Sequence, residues 1–323
     1  MPQKVAAMTQ IRRATILINP AARGVRPGFD GAPLVRYLAR QGVEAAVSIT
    51  GSPEEGTQAA AAAAARGDDV AFVIGGDGSL RTAAAGLAHS STALAAIPAG
   101  TVNVFARETG IPDGLRAAVD SHLAGQPVRM DLGNADGQRF LLMAGIGWDA
   151  EIVRRVPSQL KRYVGDFAYI IQGARMLPGL RPRNARWTFA GSTVEEPLAL
   201  MVLGNTRLYG GRIDFTPRAF ADDGSLDMVA LCPERLLDGV RLAAKLAARS
   251  LADDRHVIEQ RVATISLETP GLGVQLDGDF AGETPMRFSV DAGALLVSVP
   301  GGELPAIFSQ RAGAGRDSAS TPG

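Results

Sequence analysis

Gly75-Gly76-Asp77-Gly78-Ser79 is the part of this sequence best suited to chemistry. It follows the apolar run Val70–Ile74 and leads into a helix-forming stretch. A turn at that point aims backbone N–H groups and a helix N-terminus at one spot, which suits phosphate. Asp77 would repel phosphates unless a cation intervened, so it is expected to face Mg²⁺ directly or through water. The same residues also read as a tight strand-to-helix turn with Asp77 as a cap. A second cluster, Pro98-Ala99-Gly100-Thr101 with Asn103, follows the next apolar run. Loops after successive strands of an open parallel sheet meet at its carboxyl edge. The cluster should therefore lie beside the glycine turn, with Thr101 donating to a phosphate and Asn103 holding backbone or nucleotide. Asn19-Pro20-Ala21-Ala22-Arg23-Gly24 and Thr50 belong to the same edge. Each of the four reads as an ordinary turn; their convergence argues for a site.

Other chemistries find no support. A P-loop needs lysine after glycine, and Lys4, Lys161 and Lys245 follow Gln, Leu and Ala. Cationic help at a phosphate must then come from Mg²⁺ or from arginines such as Arg23, Arg81 or Arg107. No dinucleotide fingerprint follows the first strand, and no G-x-S-x-G elbow is present. Cys232 is the sole cysteine and His89, His122 and His256 are scattered, which argues against a disulfide and a zinc site. With 33 basic and 33 acidic residues the net charge is zero, so nucleic acid is not an expected partner. No stretch approaches the roughly 18 apolar residues of a spanning helix, and no secretory signal is evident. The expected location is cytoplasmic, with contact at the inner face of the membrane left open. Oligomeric state is not legible, and a homodimer is left open.

The elements that would position these residues fall into two groups. Ala14–Ile18, Ala45–Ile49, Val70–Ile74 and Ala93–Ile97 read as strands. They alternate with helices at Pro33–Arg40, from the Ser52-Pro53-Glu54-Glu55 capping box to Arg66, from the glycine turn to about His89, and at Leu115–Leu123. That rhythm implies an α/β domain with a parallel sheet over residues 1–130. The alanines Ala59–Ala65 read as helix filler. From about residue 130 the pattern turns to β. Asp136-Gly137 marks a hairpin, and strands are expected at Trp187–Phe189, Leu198–Leu203, Leu226–Leu231, Thr264–Leu267, Val274–Leu276, Met286–Val290 and Ala294–Val299. Helices are expected over Ala150–Leu177 and Arg235–Ser250. The chain thus reads as α/β plus all-β: a β-rich domain at 131–311, then a disordered tail at 312–323.

The ordered motifs resemble the diacylglycerol kinase catalytic-domain family of lipid kinases. The resemblance runs through Ile18-Asn19-Pro20, Gly75–Ser79, Pro98–Arg107, Gly145–Asp149, Gly210-Gly211, Pro217–Asp227 and Asp277-Gly278-Asp279. It implies a nucleotide-binding α/β domain and a β-sandwich with the active site between them. It also implies ATP contacts from Asn19, Pro20, Ala21, Ala22, Arg23, Thr50, Gly75, Gly76, Asp77, Gly78, Ser79, Leu80, Arg81 and Thr101. A structural Mg²⁺ would be held by Asp223 with the carbonyls of Phe220 and Ser225. The family's acidic motif is usually Asp-Gly-Glu, with the last acid as proton acceptor. Here Asp279 keeps the carboxylate but is one methylene shorter, and Asp277 and Glu283 are the alternatives.

The expected reaction passes the γ-phosphate of ATP to a hydroxyl of diacylglycerol or a related glycerolipid or sphingoid lipid at the membrane surface. Phosphoryl transfer asks mainly for positioning and charge neutralisation, with Asp77, Asp277 and Asp279 as the catalytic candidates. The apolar and arginine-rich residues within Ala150–Leu177 read either as an amphipathic lid on an anionic membrane or, preferably, as a core-facing helix. An NAD kinase or other soluble-substrate kinase, and a non-catalytic nucleotide-binding regulator, are the competing readings.

Overall fold

The computed structural model describes residues 11–155, 182–248, 251 and 254–309. The first half alternates β1 (Arg13–Ile18), α1 (Ala32–Arg40), β2 (Glu44–Ile49), α2 (Pro53–Ala65), β3 (Val70–Gly75), α3 (Asp77–Leu87) and β4 (Ala93–Pro98). The short α4 (Val104–Thr109) and α5 (Leu115–Leu123) follow. The four strands pair in parallel in the order β2-β1-β3-β4. Every residue of β3 is buried, as expected for a central strand covered on both faces. Leu34 and Leu38, one turn apart on α1, are buried against the sheet. At α2 the Ser52 hydroxyl accepts from the Glu55 N–H (3.2 Å), while the Glu55 carboxylate reaches back to Gly51 N–H (2.7 Å). Ser52 is thus the cap as expected, and only the return contact of Glu55 falls one residue outward, on Gly51.

The alanine run of α2 does more than fill a helix. Ala60 and Ala63 are fully buried, and α3 brings Thr82 against Gly56 and Gly86 against Thr57 and Ala60. A side chain at Gly86 would run into the Thr57 carbonyl and lie 2.9 Å from the Ala60 Cβ. Small residues on both helices let the backbones approach closely, and this sets where the N-terminus of α3 sits.

The second half holds β5 (Gln126–Ala135), β6 (Gln138–Phe140), β7 (Met143–Gly147), α6 (Trp148–Arg155), β8 (Arg183–Phe189), β9 (Ser192–Leu198), β10 (Leu200–Gly204), β11 (Leu208–Tyr209), β12 (Ile213–Asp214) and β13 (Leu226–Leu231). It continues with α7 (Leu236–Ala247), β14 (Val257–Val262), β15 (Thr264–Leu267), β16 (Gly273–Leu276), β17 (Asp279–Glu283) and β18 (Met286–Val299). The Asp136-Gly137 turn between β5 and β6 has φ of 46° and 92°, the left-handed pair a two-residue hairpin needs. Most of the helix expected at Ala150–Leu177 lies outside the described residues; its start coincides with α6.

Two expectations are corrected. The strand expected at Leu198–Leu203 is two strands. Ala199 donates to the Leu231 carbonyl and accepts from Trp148 N–H (2.9 Å), so the chain leaves one sheet there and enters the other. Conversely, Met286–Val290 and Ala294–Val299 are one strand, β18, with a register irregularity between Asp291 and Leu295.

The large sheet runs β2-β1-β3-β4-β18-β15-β8-β9, with the β5-β6 hairpin attached through β18. The second sheet is antiparallel, in the order β14-β13-β10-β7-β16-β17. Trp187, Ile265 and Phe288 from the first sheet and Ile146, Met201, Leu203, Met228 and Leu276 from the second form one buried cluster between them. The chain is thus an α/β layer with a mostly parallel sheet, followed by an antiparallel β-sandwich. β18 joins the two halves: it pairs antiparallel with β5 and β15, and parallel with β4 at Val297 and Leu94.

Candidate active site

Three loops at the carboxyl edge of the parallel sheet are tied together by their own backbones. Gly24 N–H donates to the Ala99 carbonyl (2.7 Å), and Asn19 N–H to the Ile74 carbonyl (3.1 Å). The Asn19 side chain donates to Ser79 Oγ (2.9 Å) and accepts from Ala21 N–H (2.9 Å). Gly76 and Gly100 meet with nothing between them: a Cβ on Gly100 would stand 2.6 Å from the Gly76 Cα. Asn103, at φ 53°, folds its own loop by accepting from Gly100 N–H (2.8 Å) and donating to the Gly100 carbonyl (3.1 Å). Of the two roles expected for Asn103, the structure assigns the backbone one.

These loops wall a cleft of about 410 Å³. Of the expected nucleotide contacts, Asn19, Ala21, Ala22, Arg23, Thr50, Gly76, Gly78, Ser79, Arg81 and Thr101 line it. Pro20, Gly75, Asp77 and Leu80 do not. Leu80 points into the core at 3% exposure. Gly75 is the last residue of β3 and is buried. Sequence reasoning missed Gly51, Ser52, Pro53, Gly56 and Thr82 on the walls, whereas Gly100 lies there with the cluster expected beside the glycine turn. The capping box had already marked the N-terminus of α2; its place after β2 put it at the same edge.

Asp77 departs from its expected role. Its two carboxylate oxygens accept from Val104 N–H (3.0 Å) and Phe105 N–H (3.1 Å). These are otherwise unpaired donors of the first turn of α4. Asp77 thus caps a neighbouring helix from across the site and turns away from the cleft. Burial raises its carboxyl pKa against the opposing pull of those N–H groups.

The opposite wall comes from the sandwich. β16 and β17 join through a two-residue turn, Asp277-Gly278, at φ 50° and 88°. The Asp277 carboxylate accepts from the N–H groups of Leu141 (2.7 Å), Leu142 (2.8 Å) and Met143 (3.0 Å). Asp277 N–H in turn donates to the Met143 carbonyl (3.0 Å). Burial pushes this carboxyl up to about 6 despite its three donors. Asp277 is therefore a bolt between the hairpin and the start of β7, and it does not line the cleft. Glu283 is at the far end of β17, where it pairs with Arg154 (3.2 Å).

Asp279 alone of the expected catalytic acids reaches the cleft. It is 55% exposed, and Oδ2 lies 3.7 Å from where a Cβ on Gly78 would stand. Arg81 donates to the same oxygen from Nη2 (2.9 Å). Among the described residues, the cations on the cleft walls are thus Arg23 and Arg81. Arg107 donates instead to the Gly211 carbonyl (3.3 Å) and does not line the cleft.

Phe220, Asp223 and Ser225 are away from the cleft walls. Asp223 Oδ1 accepts from Ser225 N–H (3.0 Å), and Oδ2 faces Arg261 (3.2 Å). Asp227 Oδ2 stands 3.7 Å from the same guanidinium. Both Oδ2 atoms are buried with no hydrogen-bond donor, and burial raises both carboxyl groups. Asp131, 2% exposed, uses its oxygens on Gly224 N–H (2.6 Å) and Gly293 N–H (2.7 Å). Arg261 is the nearest counter-charge, and Arg218 and Arg207 also offset Asp227; carboxylates in a buried turn are still the donor type a hard cation takes. Among the described residues, no three acidic, His or Cys side chains converge as a metal cluster. A cation here would therefore need carbonyl oxygens as well.

Comparison with known proteins agrees with this architecture. Residues 13–135 match the family model described as the diacylglycerol kinase catalytic domain. Residues 143–299 match the YegS C-terminal NAD kinase beta sandwich-like domain. The diacylglycerol kinase of Bacillus subtilis (strain 168) is 30% identical over 282 residues, which cover 86% of this chain and 93% of that protein. A Staphylococcus aureus diacylglycerol kinase is 27% identical over 280 residues, covering 86% and 89%. A solved diacylglycerol kinase structure from Bacillus anthracis str. Sterne shares the fold, with a TM-score of 0.68 at 21% identity and coverage of 94% and 99%. Another from that organism reaches 0.77 at 22% identity, with coverage of 94% and 97%. On this fold, these motifs and these relatives, the chain belongs to the diacylglycerol kinase family.

Proposed function

We propose that this enzyme is an ATP-dependent lipid kinase that passes the γ-phosphate to a hydroxyl of diacylglycerol or a related glycerolipid or sphingoid lipid. The observation that carries the reading is the seat of Asp279, a carboxylate held directly over the glycine turn whose backbone suits phosphate. ATP occupies the cleft, with its phosphates against Gly76, Gly78 and Ser79 and beside Thr101 and Arg81. Asp279 accepts the proton of the attacking hydroxyl, and its side-chain exposure leaves an acceptor room to approach from outside. Asp77 and Asp277 act at one remove, by fixing the turn and the hairpin that face each other. Mg²⁺ bound with the nucleotide would neutralise phosphate charge; a structural ion would be held by Asp223 with the carbonyls of Phe220 and Ser225. No helix among the described residues is long and apolar enough to cross a membrane. The enzyme then meets its lipid at the membrane surface.

The test is incubation with γ-labelled ATP and a panel of lipids, with NAD alongside. Label should enter a lipid, and Asp279→Asn should reduce that transfer by at least about a hundredfold, within the range for loss of a general base. Label in NAD and none in any lipid would assign the enzyme to soluble substrates.

A further inference from the structure

Arg81 ties α3 to the start of β17 through Asp279. Its side chain is 21% exposed on the cleft wall, where Nη2 donates to Asp279 Oδ2 at 2.9 Å. Its Nε is buried without a hydrogen-bond partner. An N–H left unpaired at a buried position carries a desolvation cost until an acceptor arrives. Nε and Nη2 lie on one edge of the guanidinium, the edge that binds a phosphate through two parallel hydrogen bonds. Arg81 is in the second turn of α3, one turn beyond the glycine turn proposed to hold phosphate. An incoming phosphate would satisfy Nε and compete for Nη2, the group that occupies Asp279.

Resting on the lipid-kinase reading, we propose that Arg81 is shared between Asp279 and the nucleotide phosphates. Filling of the nucleotide side then releases the acceptor-side carboxylate. In the empty enzyme Arg81 occupies Asp279 Oδ2; with phosphate in place the guanidinium turns to it, and that oxygen, no longer held by the arginine, can accept a proton. Arg81 is here a positioning residue that couples one half-site to the other, and it makes nucleotide entry the step that prepares the base.

The coupling can be read without turnover. Affinity for the non-hydrolysable analogue AMP-PNP with Mg²⁺ is measured by calorimetry on the full chain, for wild type, Arg81→Gln, Asp279→Asn and the double variant. Circular dichroism confirms that each is folded. Arg81→Gln should weaken binding about tenfold, the scale of one charge-assisted hydrogen bond. Asp279→Asn should tighten it several-fold by releasing Arg81, and in the Arg81→Gln background the same change should do nothing. Equal tightening in both backgrounds would mean that Asp279 merely repels the phosphates, and would overturn the proposal. So would an Asp279→Asn variant that binds as wild type does. A wild-type enzyme that binds no nucleotide would take the lipid-kinase reading down with it.

Discussion

Asp77 and Asp277 share one design. Each carboxylate collects backbone N–H groups at the start of another segment, Asp77 from 27 and 28 positions away and Asp277 from 134 to 136. An asparagine in either place would present an NH₂ to a donor, leaving at least one N–H unpaired. Asp277→Asn should therefore lower unfolding free energy by about 1–3 kcal/mol, read as an earlier denaturant midpoint at unchanged slope. Asp279→Asn, on an exposed side chain, should keep the wild-type midpoint while losing turnover. If both variants unfold alike, the distinction between bolt and base fails. The sequence made all three acids visible as acids in turns. It could not tell them apart, because what separates them is the orientation of N–H groups remote in the chain. Asp279 was legible through its motif; Arg81 was legible as a cation but not as the partner of Asp279, which is 198 positions away.

Among the elements, α5 shows how packing sets a titration. His122 is fully buried between α5 and the sheet, with Nε2 2.8 Å from the Ala96 carbonyl and Nδ1 3.0 Å from Ser298 Oγ. Burial lowers its pKa from 6.5 to about 4. Between those values the unfolded chain takes up a proton that the folded chain excludes. Stability is therefore full above pH 6.5 and falls as the pH drops toward 4, by up to about 3 kcal/mol from this group. Denaturant titrations at pH 7 and pH 4.5 should show that loss in wild type and a smaller one in His122→Gln; equal losses would remove His122 as the cause. Most helices and strands of the first half were readable because apolar spacing there matches burial; the short α4 was not expected, and β2 was readable although its Val47 and Ile49 are exposed. β14 and β17 were missed because they are edge strands, half exposed and polar in sequence, as in Asp279-Phe280-Ala281-Gly282-Glu283. The pairing of α2 with α3 was hidden because alanine reads the same on a solvent face and in a tight helix contact.

For the whole molecule, the deciding element is β18. Because it pairs with β4, β5 and β15, neither half completes its sheet without it. Heat or denaturant should then unfold the chain in one transition. Far-UV circular dichroism should trace the same midpoint as tryptophan fluorescence, to which Trp187, fully buried between the sheets, contributes beside Trp148. A separate early loss in either signal would show the halves to be independent. The sequence showed both apolar segments of β18, but their partners could not be inferred, since strand propensity says nothing about which edge a strand will choose. The same connection bears on how the chain is made. On the ribosome Leu94 emerges long before its partner Val297, so the β4 edge stays open while most of the protein is still being translated. An open strand edge is a template for pairing with other chains, and this edge is covered only once β18 has been made.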